Sequence, residues 1–449
     1  MKIHPNEETL DGLLRFPGEP APEMLRHLKA CARCRTRLAC ILRRRDPATV
    51  VPLRSVGATD YDPAFERSLR AAAGWELTLE RERREAAGLF NELAEHSPEQ
   101  REILLRNCPR FHAWGLLELL VERSLETTRQ DPVRGEELGQ LAVRIAGFPE
   151  AERYGAERIR DLRARAWAHV GNARRVRSDL EGAEAAFTSA WSDLEAGTRD
   201  LFERAILLDL TASLRRDQRR FEEASRLLRR AVSLFLELGE RHRAGRSLVN
   251  RATVHHHAGH PEQGIPLLHQ ALELIDPQQE PRLLLCAGHN LVFYLASSGR
   301  FLEARRAYRA AGPLYRRFPD AWTQNRRVWV KGKIARGLGQ LAEAESMFLA
   351  ARDGFLAEGI PYDTALVSLE LALLYAEQGR AAELKRLAGE MVPVFASRQI
   401  HREALAALAF FRQAVEAERA GVEVVGKIAE YLRKARHSPE LRFPEGPDE

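Results

Sequence analysis

The segments AGHPEQGIPLLHQA (258–271), SGRFLEARRAYRAA (298–311), LGQLAEAESMFLAA (338–351) and QGRAAELKRLAGEM (378–391) align on Gly259, Gly299, Gly339 and Gly379, forty residues apart. Five residues after each glycine begins a small-x3-large-x2-small pattern. Working outward, its members are Ala183/Phe187/Ala190, Ala224/Leu228/Ala231, Gly264/Leu268/Ala271, Ala304/Tyr308/Ala311 and Ala344/Phe348/Ala351. A fixed period of 20 to 50 residues marks stacked supersecondary units. Positions i, i+4 and i+7 share a helical face, so each triplet predicts a buried stripe with small residues beside a large one. The glycine falls where one helix stops and its antiparallel partner starts, a position that favours positive φ. Gly239, Pro277, Pro319 and Gly359 punctuate the other end of the unit. The chain therefore reads as all-α, a right-handed helical-hairpin solenoid. Leu384/Ala388/Met391 keeps the phase with the sizes inverted, as expected near the end of a stack.

Trp167, Val170 and Gly171 stand ahead of Ala183, Phe187 and Ala190 at the offsets of the tetratricopeptide pattern W-x2-L-G … A-x3-F-x2-A. Residues 161–400 thus resemble a tetratricopeptide array, with a period of about 40 in place of about 34. HEAT and armadillo repeats, at about 40 to 47, are the structural alternative, and the alanine-rich second-helix stripe favours the tetratricopeptide reading.

The other end of the chain has a different composition. Of a net charge of +5, the first sixty residues hold +4, with 11 Lys and Arg against 7 Asp and Glu. Three of the five cysteines, Cys31, Cys34 and Cys40, also lie there, whereas Cys108 and Cys286 stand alone in helical segments and read as small buried residues. An odd count argues against a disulfide framework. In RHLKACARCRTRL (26–38), His27, Cys31 and Cys34 form H-x3-C-x2-C, which turns three ligands to one side of a helix. Zinc takes four such ligands in a tetrahedron. His4 is the natural fourth, because the residues between it and His27 have room for a helix, a Gly/Pro turn and a second helix; Cys40 is the competitor.

The string His4, Pro5, Glu7, Glu8, Leu13, Gly18, His27, Leu28, Cys31, Cys34, Arg35 and Leu38 resembles the zinc-containing N-terminal fold of bacterial anti-sigma factors. The resemblance covers about 45 residues. It implies zinc ligation by His27, Cys31 and Cys34, completed by His4, and a sigma factor as partner. Many members carry a membrane anchor, and none follows in this sequence.

The expected organisation is a zinc-binding module at 1–45, a proline-containing linker at 46–63, an irregular helical region at 64–160 that starts the stack, repeats at 161–400, cap helices at 401–436 and a polar tail at 437–449. Within the irregular region, Ser97-Pro98-Glu99-Gln100 has capping-box spacing and Asp131-Pro132 is a second helix start. The longest apolar run, Ala404–Phe411, is too short to cross a bilayer, and the first residues lack the apolar core of a signal peptide. A cytoplasmic location is expected.

Other motifs fail on inspection. Gly421, Gly426 and Lys427 approach a P-loop, but Ile428 stands where a magnesium-binding hydroxyl is needed. Of His255, His256, His257 and His260, only His256 and His260 have ligand spacing, and the cluster suits a helix C-terminus. No catalytic constellation is present, and the chain is expected not to be an enzyme. The reading is a regulatory adaptor whose zinc module engages a sigma factor or similar partner and whose repeats bind a protein, peptide or ligand. The alternatives are a scaffold with a purely structural zinc, and a nucleic-acid binder using the arginine-rich segment 33–45.

Overall fold

The structure, a computed structural model, describes residues 10, 24, 27, 28, 31, 34, 37, 38, 41, 62–148, 153–396, 402–416, 421–435 and 443. Contacts divide the chain into two compact units, Met1–Leu207 and Leu208–Glu449. Among the described residues there is no strand, in agreement with the helical-hairpin solenoid expected from the sequence.

The first unit contains α1 (Asp62–Ala94), α2 (Pro98–Asn107), a short 3-10 turn, α3 (Trp114–Thr127), α4 (Pro132–Ala146), α5 (Ala156–Val176) and α6 (Leu180–Ala196), and ends inside α7 (Leu201–Asp217). Helix α1 opens at Asp62, two residues inside the stretch read as linker. Ser97 caps α2 with a complete capping box: its hydroxyl accepts from the Gln100 amide at 3.3 Å, and the Gln100 side chain accepts from the Ser97 amide at 3.0 Å. Asp131 caps α4 through the Arg134 amide at 3.0 Å. Glu82 pins α1 to α3 from a buried position, accepting from the Trp114 amide at 2.9 Å and the Tyr154 hydroxyl at 2.8 Å. Gly115 is obligatory there, because a Cβ would lie 2.4 Å from the Glu82 backbone.

The second unit continues with α8 (Phe221–Glu237), α9 (Arg241–His257), α10 (Pro261–Leu274), α11 (Pro281–Ser297), α12 (Phe301–Ala310), α13 (Gly312–Arg317), α14 (Ala321–Gly337), α15 (Leu341–Ala357), α16 (Pro361–Glu377), α17 (Ala381–Ala396), α18 (Arg402–Glu416) and α19 (Val422–Ala435). Consecutive helices pack as hairpins. The four phased glycines have φ between 66° and 89°. After each, the next amide bonds to the carbonyl five residues back, at 2.9 Å from His260 to His255, Arg300 to Leu295, Gln340 to Ala335 and Arg380 to Tyr375. This is the Schellman closure. Arg219 occupies the same place one period earlier, with φ 60° and Arg220 bonded to Arg215 at 2.8 Å. The shared turn predicts opposite effects. A Cβ on Gly299 meets nothing within 4 Å, so Gly299→Ala is expected to cost about 1–2 kcal/mol from backbone strain alone, and Arg219→Gly to stabilise by up to about 1 kcal/mol. Thermal melts of the two variants moving in the same direction would contradict this account.

The stripes are buried as the spacing predicts, with Phe187, Leu228, Leu268 and Phe348 at most 2% exposed. Sixteen residues before each large residue stands a small one on the preceding helix. Gly171 faces Phe187 and Gly332 faces Phe348, where an added Cβ would lie 3.1 Å and 2.7 Å from the ring; Ala212 and Ala252 occupy the corresponding places ahead of Leu228 and Leu268. The exception is the Ala304/Tyr308/Ala311 stripe. Val292 fills the small position, Tyr308 is only half-buried, and the helix breaks into α12 and α13 at Gly312-Pro313. Proline supplies no amide to continue the ladder, and its ring clashes with the carbonyl four residues back. Cys108 and Cys286, expected to be buried, are half-buried.

At the end of the second unit, every residue of α16 from Asp363 to Tyr375 is buried. Helices α15 and α17 flank it, and α19 returns to cover the side that other first helices leave open. Leu384, Ala388 and Met391 close the stack from α17.

In the first unit, Asp161 of α5 lies 8% exposed, accepting from the Thr198 hydroxyl at 2.5 Å and the Thr198 amide at 3.1 Å. Desolvation outweighs these bonds and, with Asp200 and Glu203 adding repulsion, raises its carboxyl to about 6. A carboxyl raised above its unfolded value stabilises the fold most when protonated, and that contribution is lost as pH rises from about 4 through 6. Asp161→Asn is therefore expected to gain stability over wild type across that window, by on the order of 1–3 kcal/mol at its top. Urea midpoints measured from pH 4 to 8 that run parallel for the two proteins would remove the assignment.

Candidate metal centre

Five buried side chains, Leu10, Leu28, Cys34, Leu38 and Ile41, with Met24 and Cys31 against them, make a small core at the start of the chain. So few apolar residues are a poor foundation for an independent fold, and modules of this size rely on a metal or disulfides. Neither Cys31 nor Cys34 is in a disulfide.

His27, Cys31 and Cys34 place their ligand atoms within 4.8 Å of one another. The His27 Nε2 to Cys34 Sγ distance is 3.3 Å. On an uninterrupted helix, residues seven apart rise about 10 Å along the axis. The chain instead breaks between the two: His27, Leu28 and Cys34 are helical, Cys31 is not, and the Cys31 amide closes a last turn onto the His27 carbonyl at 2.9 Å. The convergence expected from a single helical face is thus produced by a helix end and a new helical start.

The donor set suits zinc. Tetrahedral arms of about 2.3 Å to sulfur and about 2.0 Å to nitrogen separate ligand atoms by about 3.5–3.8 Å, close to the spacing found. Cys34 is buried, while His27 and Cys31 are half-buried, so the three donors face a common point at the edge of the small core. His4 and Cys40, the two contenders for the fourth position, lie outside the described residues. So does the arginine-rich segment 33–45, apart from Cys34, an exposed Arg37, and the core residues Leu38 and Ile41.

Among the described residues this is the one cluster of metal-ligand type. His255, His256 and His257 occupy the last turn of α9. His256 stacks on Tyr294 with ring centroids 4.8 Å apart, and burial beside Arg251 lowers the His255 imidazole. Gly426, Lys427 and Ile428 of the near P-loop lie inside α19, with no phosphate-cradling loop.

Two aromatics of the repeats reach the surface. Trp322 is 41% exposed on α14, with the Arg326 guanidinium 4.6 Å over its ring. Phe293 on α11 is half-buried, with the Lys333 ammonium 5.5 Å from its ring centroid. Both lie in phase with a half-exposed stripe on α9, His242, Arg246, Asn250, Thr253 and His257, forty and eighty residues on, although the counterpart of Asn250 on α14, Val330, is buried. The forty-residue phase carried the signal, but only when applied to first helices as well as second ones.

Among the described residues no helix is long and apolar enough to cross a membrane. No protein-family model matches the chain, and no curated protein matches it. Solved structures do. A Rap protein complexed with Competence and Sporulation Factor is 13% identical, with a TM-score of 0.52 over 72% of this chain and 87% of its own. Aspartyl phosphate phosphatase F from Bacillus subtilis is 11% identical, with a TM-score of 0.50 over 89% of this chain and 96% of its own. At such identity the likeness establishes the fold, a helical-repeat array of the kind found in these proteins.

Proposed function

We propose that the chain is a regulatory adaptor in which a zinc module at 1–45 engages a sigma factor or a similar transcription partner, while the repeats bind a second protein or peptide. The observation that carries this reading is the His27, Cys31 and Cys34 triad, set in a core too small to stand alone, inside a string that resembles anti-sigma factors. Zinc holds the module, with His4 or Cys40 as fourth ligand. The repeats contribute an extended helical surface of the type that binds partners, and a structure with this fold is described as complexed with Competence and Sporulation Factor.

Zinc-loaded full-length protein, tested by biolayer interferometry against the sigma factors encoded nearest its own gene, is expected to bind at least one of them. Cys34→Ser should abolish that binding. If no sigma factor binds the metal-loaded protein, the module loses its assigned partner; if binding survives Cys34→Ser, zinc plays no part in it.

A further inference from the structure

In the second unit, the second helices of successive hairpins carry arginines along their middles and no acid between them. On α8, Arg226, Arg229 and Arg230 are exposed in a stretch, residues 224–236, that holds no carboxylate. Across α12 and α13, residues 304–317 hold Arg305, Arg306, Arg309, Arg316 and Arg317, all exposed and again without an acid. Ala224, Gly264 and Ala304 are the buried positions of one forty-residue phase, so Arg226 and Arg306 share an outward position, as do Arg229, His269 of α10 and Arg309. Acids sit toward the helix ends, as Glu222, Glu223, Glu262 and Glu303 do in first turns, where the helix dipole favours them. Glu303 is held low by Arg300, bonded to it at 2.6 Å, and also by Arg306 and by His269, so the outward faces of α10 and α12 adjoin. The pattern stops at α15, where Glu345 replaces Arg305 and accepts from Arg380 at 2.6 Å.

Folding does not account for these charges. Elsewhere arginines are matched by acids of a neighbouring helix, Arg163 by Asp193, Arg174 by Glu136, and Arg336 by Glu370 and Glu377. Among the described residues none of the arginines on the α8, α12 and α13 face is in an ion pair. Like charges four apart on a helix, Arg226 with Arg230 and Arg305 with Arg309, repel and weaken it. Arg229 also reaches Arg251 of α9, whose guanidinium is lowered by burial and by that repulsion.

The chemistry of the face narrows what would neutralise it. Arginine's planar fork meets phosphate with two parallel N–H bonds. Pro266, His269, Gln270 and Ala310, the outward residues between the arginines, supply no aromatic ring of Phe, Tyr or Trp and no large apolar side chain. Leu302 at the start of α12 and Leu236 at the end of α8 are exposed singly, at opposite helix ends. Such a face lacks the apolar centre of a protein interface, the inserted side chains of a membrane-surface helix and the stacking platform of a single-strand site. Duplex RNA is recognised largely through the 2′-hydroxyls of its minor groove, which call for more than a row of cations. Duplex DNA presents a phosphate charge per about 1.7 Å of axis, and cations alone suffice to hold it.

We infer that the outward face of α8, α10, α12 and α13 binds the phosphate backbone of double-stranded DNA without reading its sequence. The site lies on second helices, and it goes beyond the adaptor reading because it does not depend on the zinc module.

The test uses the full-length protein and fluorescein-labelled DNA duplexes of about 30 base pairs, followed by anisotropy from about 50 to about 200 mM salt. Wild type is expected to bind two unrelated sequences equally and to weaken steeply as salt rises. Arg306→Gln/Arg309→Gln on α12 and Arg226→Gln/Arg229→Gln on α8 should each weaken binding by about tenfold and lower the salt slope by about two. Arg81→Gln/Arg241→Gln, at exposed residues of α1 and α9, is the charge-matched control and should change affinity by less than about twofold. Circular dichroism verifies that each variant is folded. No binding to DNA, tighter binding to duplex RNA or to phosphatidylglycerol vesicles, or an equal loss with the control overturns the inference. A loss with Cys34→Ser and none with the α8 and α12 variants places the contact in the amino-terminal module and overturns it too, while leaving the adaptor reading untouched.

Discussion

Cys34→Ser protein is expected to purify without the zinc that wild type retains, and to lose the order of its first 45 residues. The serine hydroxyl is nearly isosteric with the thiol but does not supply a thiolate, and the site loses one of the four ligands a structural zinc needs. Structural zinc sites in small modules contribute about 10–16 kcal/mol of apparent binding free energy at neutral pH. The core of Leu10, Leu28, Leu38 and Ile41 offers only about 1.5–3 kcal/mol for each side chain buried, less than the ordering entropy of the module. Plasma emission spectroscopy should read about one zinc per wild-type chain and far less in the variant. Amide exchange should rise at the amino terminus and stay unchanged in α8–α15. A variant that keeps its zinc, or a metal-free wild type whose first 45 residues remain protected, would sink the metal assignment. Acidification should release the ion from wild type as well, because cysteine binds zinc as the thiolate and protons compete for it.

The second large effect is expected inside the array. Phe348 is fully buried, and its ring lies so close to Gly332 that an added Cβ would sit 2.7 Å from it. Phe348→Ala should cost about 3–5 kcal/mol through lost transfer energy and an unfilled cavity. Gly332→Ala should cost about 1–3 kcal/mol for the opposite reason, overpacking. The neighbouring units supply the compensated pair, since Ala212 precedes Leu228 and Ala252 precedes Leu268 at the same separation. The double variant Gly332→Ala/Phe348→Leu should therefore recover much of the loss, with a coupling of about 0.5–3 kcal/mol. Exchange protection across α14 and α15 is the appropriate readout, because repeat arrays need not unfold in two states. Strictly additive single and double variants would mean that helix α14 does not owe its closeness to α15 to this pair.

These two sites also mark what can be read without coordinates. Gly259, Gly299, Gly339 and Gly379 announce their own conformation, because a Schellman closure demands positive φ at a fixed place, and the stripe residues announce their burial through i, i+4 spacing. Arg219 takes the same conformation without glycine, so its turn was invisible to composition. Gly312-Pro313 was in plain view but hidden by the unbroken phase of Ala304, Tyr308 and Ala311. The return of α19 onto α16 is a tertiary event; its trace is that Leu366 and Leu373 are apolar where Arg326 and Lys333 stand one unit earlier. At the metal centre, residue types and spacing pointed to His27, Cys31 and Cys34. The interruption at Cys31 that brings them together depends on backbone geometry that spacing alone does not encode.

The identical closures after His256, Ala296 and Arg336 have a consequence for how such a chain changes length. Because each turn closes on a glycine of positive φ, cutting between Gly259 and His260 and splicing to Arg300 would remove one whole forty-residue period and leave a closing turn of the same type, while Ala252 would take the place of Val292 ahead of Tyr308. Gene duplication or loss in multiples of this unit thus keeps the turns in register and leaves only the small-against-large pairs between helices to be adjusted, whereas an indel of any other size throws the register out.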